Sequence, residues 1–371
     1  MNKKLISLLL SAALAVSMLT VPAFAAEGDE ADAALNETNE VVVTLGDTVT
    51  ASTVEDTDKA AADKTAADKT ETADSAPAAS TEKKQITYVA LGDSIVAGVG
   101  LADVKYAKDS TTLYSVDMSP NFKGYSPDCY VGKVATMMGL DRDHAINLGL
   151  PALTAPDLAD MVRDGQMPKM NMESGCWYKY PEFQDYIRKA DVVSVQIGSN
   201  DAFVPCIVAL GNATNWKSEA LAASVLAGDL RASGSPAAAL IQGIKDMHLT
   251  RDERNATWNL LTSEMGKICD RIYPQTTAGL ISVVQEIRKL NPDCQILLMG
   301  YTDPVPFVPC WHNYFKKLNK FEKQLAETYD LTYVAIPKAK TDLDVHPTIS
   351  GHEYIAKKIV NSIELPEDSA Q

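Results

Sequence analysis

No two cysteines in this chain are spaced as Cys-x-x-Cys, and no His-Glu-x-x-His run occurs, so the common zinc-site patterns are missing. No Gly-x-x-x-x-Gly-Lys-Ser/Thr loop is present to cradle phosphates. Neither a metal nor any other cofactor is therefore expected. Positive charge is also scarce: 34 Lys and Arg against 49 Asp and Glu leave a net −15. Nucleic acid and anionic headgroups favour basic surfaces, so both are poor partners for this chain. Past the first 25 residues nothing approaches the 18 or more uninterrupted apolar residues of a spanning helix, so no stable membrane insertion is expected once that segment is removed.

The first 25 residues do carry a pattern. Lys3 and Lys4 precede an apolar run from Leu5 to Leu19, and Ala23-Phe24-Ala25 forms a small-residue cleavage site. This reads as a secretory signal, placing the mature protein outside the cell or at its envelope. A membrane anchor is the rival reading, disfavoured because Pro22 ends the run and no basic stop-transfer cluster follows. From Ala26 to Lys84 there is one Pro and no Trp, Tyr or Phe, and a tandem repeat runs Ala61-Ala62-Asp63-Lys64-Thr65 then Ala66-Ala67-Asp68-Lys69-Thr70. With 15 acids and 5 bases it holds −10 of the chain's −15. Such a segment cannot bury enough apolar surface to offset chain entropy and reads as a disordered spacer. Leu45-Gly46-Asp47-Thr48 within it mimics a motif met later, with no predicted sheet to hold its hydroxyl.

Residues 85–371 remain for one large domain with its own core. Ile86–Leu91, Ala145–Leu148, Val192–Ile197, Gln295–Met299 and Leu331–Ile336 are short apolar runs that read as buried strands. Helical stretches alternate with them at Tyr130–Leu140, Pro156–Arg163, Thr277–Leu290, Phe315–Thr328 and Gly351–Ile363. Alternation of this kind predicts an α/β domain with a mainly five-stranded parallel sheet and helices on both faces. Two insertions, 103–128 and 202–275, leave from the carboxyl edge of that sheet, where ligands bind, and read as substrate walls or a lid. All six cysteines, Cys129, Cys176, Cys206, Cys269, Cys294 and Cys310, fall in this domain. Their number permits three disulfides in an exported protein, with free buried thiols as the alternative. Cys206 and Cys310 both follow predicted strand ends and could meet.

Four short motifs carry chemistry. Val89-Ala90-Leu91-Gly92-Asp93-Ser94 runs an apolar strand into a turn, and Gly92 permits that turn to be tight. A helix beginning there would aim its amides at developing negative charge, although a serine at such a turn is also a common helix cap. Asn147-Leu148-Gly149 follows, then Gly198-Ser199-Asn200-Asp201, then His346-Pro347. Together they supply a nucleophile in Ser94, an oxyanion-binding amide in Asn200 and a base in His346, as acyl transfer requires. Gly198 would let the backbone come close, and the amide of Ala152 or Gly149 could add a donor. His352 reads as structural, and His144, His248 and His312 are isolated.

In these motifs the chain resembles the SGNH/GDSL family of serine esterases and lipases. Leu91-Gly92-Asp93-Ser94 matches the first block and Asn147-Leu148-Gly149-Leu150-Pro151-Ala152 the second. Gly198-Ser199-Asn200-Asp201 matches the third and His346-Pro347-Thr348-Ile349-Ser350-Gly351-His352 the last. The resemblance implies a three-layer α/β/α, flavodoxin-like fold. It also implies Ser94 as nucleophile, His346 as base, and an oxyanion hole from the amides of Ser94 and Ala152 with the Asn200 side chain. Two departures stand out. Ala152 replaces the family's glycine, and Leu343 stands where the family has the acid three residues before the histidine. Asp344 is the expected orienting acid, with Asp342 or a backbone carbonyl as alternatives. The α/β-hydrolase signature Gly-x-Ser-x-Gly is absent, since Val96 occupies its second glycine.

The expected activity is cleavage of small-molecule, lipid or carbohydrate carboxylic esters through an acyl-serine. The alternatives are an acetyl-ester hydrolase or acetyltransferase acting on cell-surface polysaccharide, or an inactive wall- or carbohydrate-binding module.

Overall fold

The computed structural model describes residues 85–104, 122–218, 220–221, 233–306, 308–342 and 345–364. The leader, the acidic spacer, much of the 103–128 insertion and Asp344 lie outside the described residues.

Five strands form one parallel sheet: β1 (Tyr88–Gly92), β2 (Ala145–Gly149), β3 (Val192–Gln196), β4 (Gln295–Met299) and β5 (Thr332–Val334). Their order is β2-β1-β3-β4-β5. The chain steps from β1 to β2 in one direction and then crosses back to β3 on the other side. The ends of β1 and β3 therefore flank a topological switch point, where such sheets bind ligands. Pairing is in register there, with Gly92 opposite both Gly149 and Gln196.

Strands buried on both faces need apolar residues at every position, which is why the runs are continuous. Val89, Leu91, Ile146, Leu148, Val193, Val195, Ile296 and Leu298 pack into one core. That core is closed by α3 (Ala155–Asp164), α4 (Phe183–Arg188), α5 (Ser199–Ala213), α8 (Met265–Leu290) and α9 (Pro309–Tyr329). Tyr88, Ala90, Ala145, Leu297 and Met299 face the other core, under α2 (Tyr130–Met138) and α10 (Ile349–Val360). The one-turn α1 (Ser94–Ala97) follows β1, and α6 (Pro236–Asp246) and α7 (Arg251–Asn259) precede a π-turn at Leu260–Glu264. The architecture is the three-layer α/β/α fold expected. Among the described residues no helix is long and apolar enough to cross a membrane.

Three boundaries differ from the sequence expectation. The last strand is only Thr332–Val334, because the Leu331 N–H closes α9 on Ala326 O at 2.8 Å and the Ile336 carbonyl accepts from Thr302 Oγ1. The helix expected from Thr277 starts at Met265 and carries Pro274 inside it. Proline reads as a breaker, but packing of Gly279, Leu280, Val283 and Ile287 along the buried face of α8 outweighs one missing hydrogen bond. The segment read as the 202–275 insertion begins within α5 and ends within α8.

One core residue is out of character. Glu322 on α9 is fully buried, and among the described residues neither carboxyl oxygen has a hydrogen-bond partner. Burial raises its pKa well above the ordinary carboxyl value, so the folded chain holds it protonated. A raised folded-state pKa stabilises the fold at low pH and loses that contribution as pH rises towards the folded value. Glu322→Gln keeps the shape and removes the titration. Its Tm should exceed that of the parent by a few degrees at pH 8 and match it near pH 5, as read by calorimetry across pH. Equal Tm differences at both pH values would contradict this account.

Candidate active site

Gly92 ends β1 at φ +153, and a Cβ there would stand 2.0 Å from Gln196 O on β3. Only glycine lets the two strand ends lie this close while the chain turns. Asp93 then caps α1, its Oδ1 accepting from Ile95 N–H at 2.9 Å. The cap is thus Asp93 and not Ser94, which leaves the serine hydroxyl available. With only one turn, α1 has little macrodipole, so any anion binding here depends on individual amides.

Ser94 Oγ lies 2.9 Å from His346 Nε2 across 252 residues of sequence. The His346 ring is buried and sits in a loop closed on itself. Asp342 N–H donates to His346 O at 2.9 Å, Val345 N–H to Asp342 O at 3.0 Å, and Thr348 N–H to Lys340 O at 2.9 Å. Thr348 then caps α10. Val345, β-branched, is held at φ +62, a conformation such residues avoid. The loop's backbone bonds hold it there, next to the residue that must meet Ser94. Asp344, the expected orienting acid, lies outside the described residues, whereas the Asp342 backbone brackets the His346 turn.

The second strand delivers Ala152. It is buried, at φ +60, in the left-handed conformation that favours glycine. An alanine held there costs roughly 1–2 kcal/mol. The segment is clamped from both ends: Leu150 N–H donates to Gly92 O at 2.9 Å, and Tyr178 O–H to Pro151 O at 2.9 Å. Asn200, at the start of α5 rather than at a strand end, donates from Nδ2 to Leu153 O at 3.0 Å. Its amide has a second N–H to offer. Among the described residues nothing accepts from the amides of Ser94 or Ala152. Ser94, Ala152, Asn200 and His346 line one cavity.

Asp93, which the sequence reading counted only as a supporting residue beside Gly92 and Gly198, is joined here by three that it did not assign: Ser199, Asp201 and Tyr301. Asp93, fully buried, accepts from Ser199 Oγ at 2.7 Å and from Tyr301 O–H at 3.0 Å as well as from its own turn. Burial raises its pKa, and these donors and the nearby His346 pull it back. Asp201 Oδ2 accepts from Ala155 N–H at 2.9 Å, tying α5 to the end of the Ala152 loop. Burial pushes its pKa up to about 7 against the lowering effect of Ala155 N–H and Thr276. Ser199 and Asp201 sit inside a motif already singled out. Tyr301 follows β4 at the same sheet edge, a position that topology alone could have flagged.

The remaining histidines stand elsewhere. His144 pairs with Asp141 at 2.7 Å and His312 with Asp303 at 2.9 Å, both on the surface. His352, fully buried, accepts from Tyr130 N–H at 3.2 Å and fastens α2, as a structural histidine. Gly198, at φ +128, caps α5, and its carbonyl accepts from Tyr314 O–H at 2.7 Å. All six cysteines are free thiols.

The Asp201 clamp makes a kinetic prediction. Asp201→Ala leaves the Ala155 amide unpaired and loosens the Ala152 loop. It should lower kcat at least about tenfold with KM nearly unchanged, since the loop's amide would act on charge present only in the transition state. Steady-state kinetics decides. A rise in KM at constant kcat would mean the clamp serves binding instead.

The model of the GDSL-like lipase/acylhydrolase family matches residues 90–354. No curated protein matches the chain. Solved structures similar to it include a lipase from a goat rumen metagenome, at 13% identity and TM-score 0.43, covering 75% of this chain and 97% of that one. The extracellular lipase of Streptomyces rimosus has 13% identity, TM-score 0.43, and coverage of 75% and 100%. A carbohydrate acetylesterase from Sinorhizobium meliloti has 14% identity, TM-score 0.39, and coverage of 75% and 97%. The family match spans most of the domain and contains Ser94, Ala152, Asn200 and His346, so the chain belongs to the GDSL-like lipase/acylhydrolase family, the carboxylic ester hydrolases.

Proposed function

We propose that the protein is an exported serine esterase that removes short acyl groups, acetyl foremost, through an acyl-enzyme on Ser94. The observation that carries this reading is the 2.9 Å contact between Ser94 Oγ and His346 Nε2. His346 takes the hydroxyl proton as Ser94 Oγ attacks the ester carbonyl. The amides of Ser94 and Ala152 and the second N–H of Asn200 hold the tetrahedral oxyanion. His346 then protonates the departing alkoxide, leaving an acyl-serine. Water, activated by the same ring, releases the acid and restores the hydroxyl. Asp344 orients the ring and stabilises its charged form.

Short acyl groups are favoured by the space available. The cavity beside Ser94 encloses about 760 Å³ of empty space, of which only about 50 Å³ admits the centre of a water molecule, so it is narrow along its length. Much of its wall is apolar, formed by Phe203, Phe315, Ile336, Ala339, Val345 and Ile355. Phe203 comes from the expected wall insertion. The shape supports acetyl or butyryl esters and leaves the alcohol side to lipid or carbohydrate alike.

A p-nitrophenyl ester series tests this. Acetate and butyrate should exceed palmitate in kcat/KM by at least about tenfold, and Ser94→Ala should retain under about one per cent of kcat on all. In the same assay Asp344→Asn should lower kcat by orders of magnitude while Asp342→Asn costs little. The reverse order moves the acid to Asp342, and two mild effects leave a Ser–His dyad. Export is tested separately: N-terminal sequencing of the mature protein should begin at Ala26. An intact Met1 would exclude cleavage.

A further inference from the structure

Outside the two sheet cores, buried apolar side chains gather in one further place. Leu221, Leu240 and Met247 form a small cluster, with Ala239, Ile244 and Leu249 packed around it. Leu240 and Ile244 share the inner face of α6. A Cβ on Gly243 of that helix would stand 2.4 Å from Leu221 Cδ1, so the helix lies flush on that side chain. Gln242, Lys245 and Asp246 on the outer face are exposed. The segment is tied at its base: Lys217 Nζ meets Glu253 Oε2 at 2.6 Å, and the same oxygen accepts from Thr250 N–H at 2.7 Å.

Among the described residues, this cluster shares one side chain with the main core, and it is Val345, packed against both. Val345 directly precedes His346 and is held at φ +62, a region that β-branched residues avoid. Its N–H closes the turn on Asp342 O, while its side chain is seated between the two clusters. Relaxation to negative φ would pull that side chain from its seat. It would also redirect the chain that follows, and the His346 ring with it.

We propose that α6 is a positioning element for His346: packing of Leu240 and its neighbours on Val345 holds the left-handed turn, and the turn keeps His346 Nε2 within reach of Ser94 Oγ. This rests on the reading of Ser94 and His346 as nucleophile and base. None of Leu221, Leu240 and Met247 lines the cavity beside Ser94, so the cluster acts through Val345 and not on substrate. Weakening it should therefore lower kcat and spare KM.

The test is a double-mutant cycle on p-nitrophenyl acetate with the full chain. Leu240→Ala, and independently Met247→Ala, should each lower kcat about tenfold with KM within about twofold, because small displacements of a catalytic group are costly. Leu240→Met keeps the volume and should keep the rate. Val345→Gly removes both the strain and the contact, so in that background Leu240→Ala should change kcat by less than about twofold. A crystal structure of Leu240→Ala should show Val345 out of the left-handed region and His346 Nε2 beyond about 3.5 Å from Ser94 Oγ. Equal losses in both backgrounds, a rise in KM at constant kcat, or a crystal structure with Val345 and His346 unmoved would each overturn the proposal. A parent inert on every ester would count against the proposed function instead, and the crystal structure would then decide the role of α6 by itself.

Discussion

A single buried carboxylate holds the working edge of this sheet together. Asp93 follows β1, Ser199 follows β3 and Tyr301 follows β4, and the hydroxyls of the latter two converge on Asp93 Oδ2. The other Asp93 oxygen caps the turn that presents Ser94. A hydrogen bond to a charged group contributes about 1.5–3 kcal/mol, and an unpaired buried carboxylate would be far more costly than these donors are valuable. The three strand ends are therefore interdependent: move one, and the acid loses a partner it cannot replace from solvent. Ser94 is placed by that mutual dependence, since its helix of one turn is too short to place anything.

Around this anchor the chain accepts strain at two positions. Ala152 and Val345 both have positive φ, and each lies next to or within the groups that converge on Ser94. Neither would rest there in an unrestrained loop. Ala152 is fixed by Leu150 bonding Gly92 O, by Tyr178 on Pro151 O and by Asn200 on Leu153 O. Val345 is fixed by the Asp342 bonds that close the His346 loop. Local bonds thus offset strain of a few kcal/mol, and the return is a rigid pair of loops whose amide and imidazole need not reorganise during reaction.

Much of this was legible in the sequence because parallel sheets advertise themselves. Continuous apolar runs such as Val192–Gln196 and Gln295–Met299 announce strands buried on both faces, Ser94 and Asn200 stand just past such runs, and His346 lies in the loop before the last helix. That is why Ser94, Asn200 and His346, separated by up to 252 residues, could be placed together beforehand. Pairings that depend on side-chain reach were not legible. Nothing in Gly300-Tyr301 says that its hydroxyl reaches Asp93, and nothing in Asp201 says that it will accept from Ala155. Pro274 shows the opposite case: proline locally disfavours a helix interior, but the apolar face of α8 overrides it through contacts made far away in sequence.

The three buried acids separate structural burial from burial with a purpose. Glu322 is fully buried with neither oxygen paired among the described residues, so burial favours its neutral form. Asp201 has a backbone donor and Thr276, enough to hold its pKa near 7 instead of higher. Asp93 has three donors, and His346 beside it favours its charged form further. Pairing therefore increases from Glu322, through the acid that steadies the Ala152 loop, to the one that carries Ser94. A fold that needed only to bury carboxyls would have no reason to grade them in this order. A site in which charge must develop at one fixed point, against loops that must not move, does.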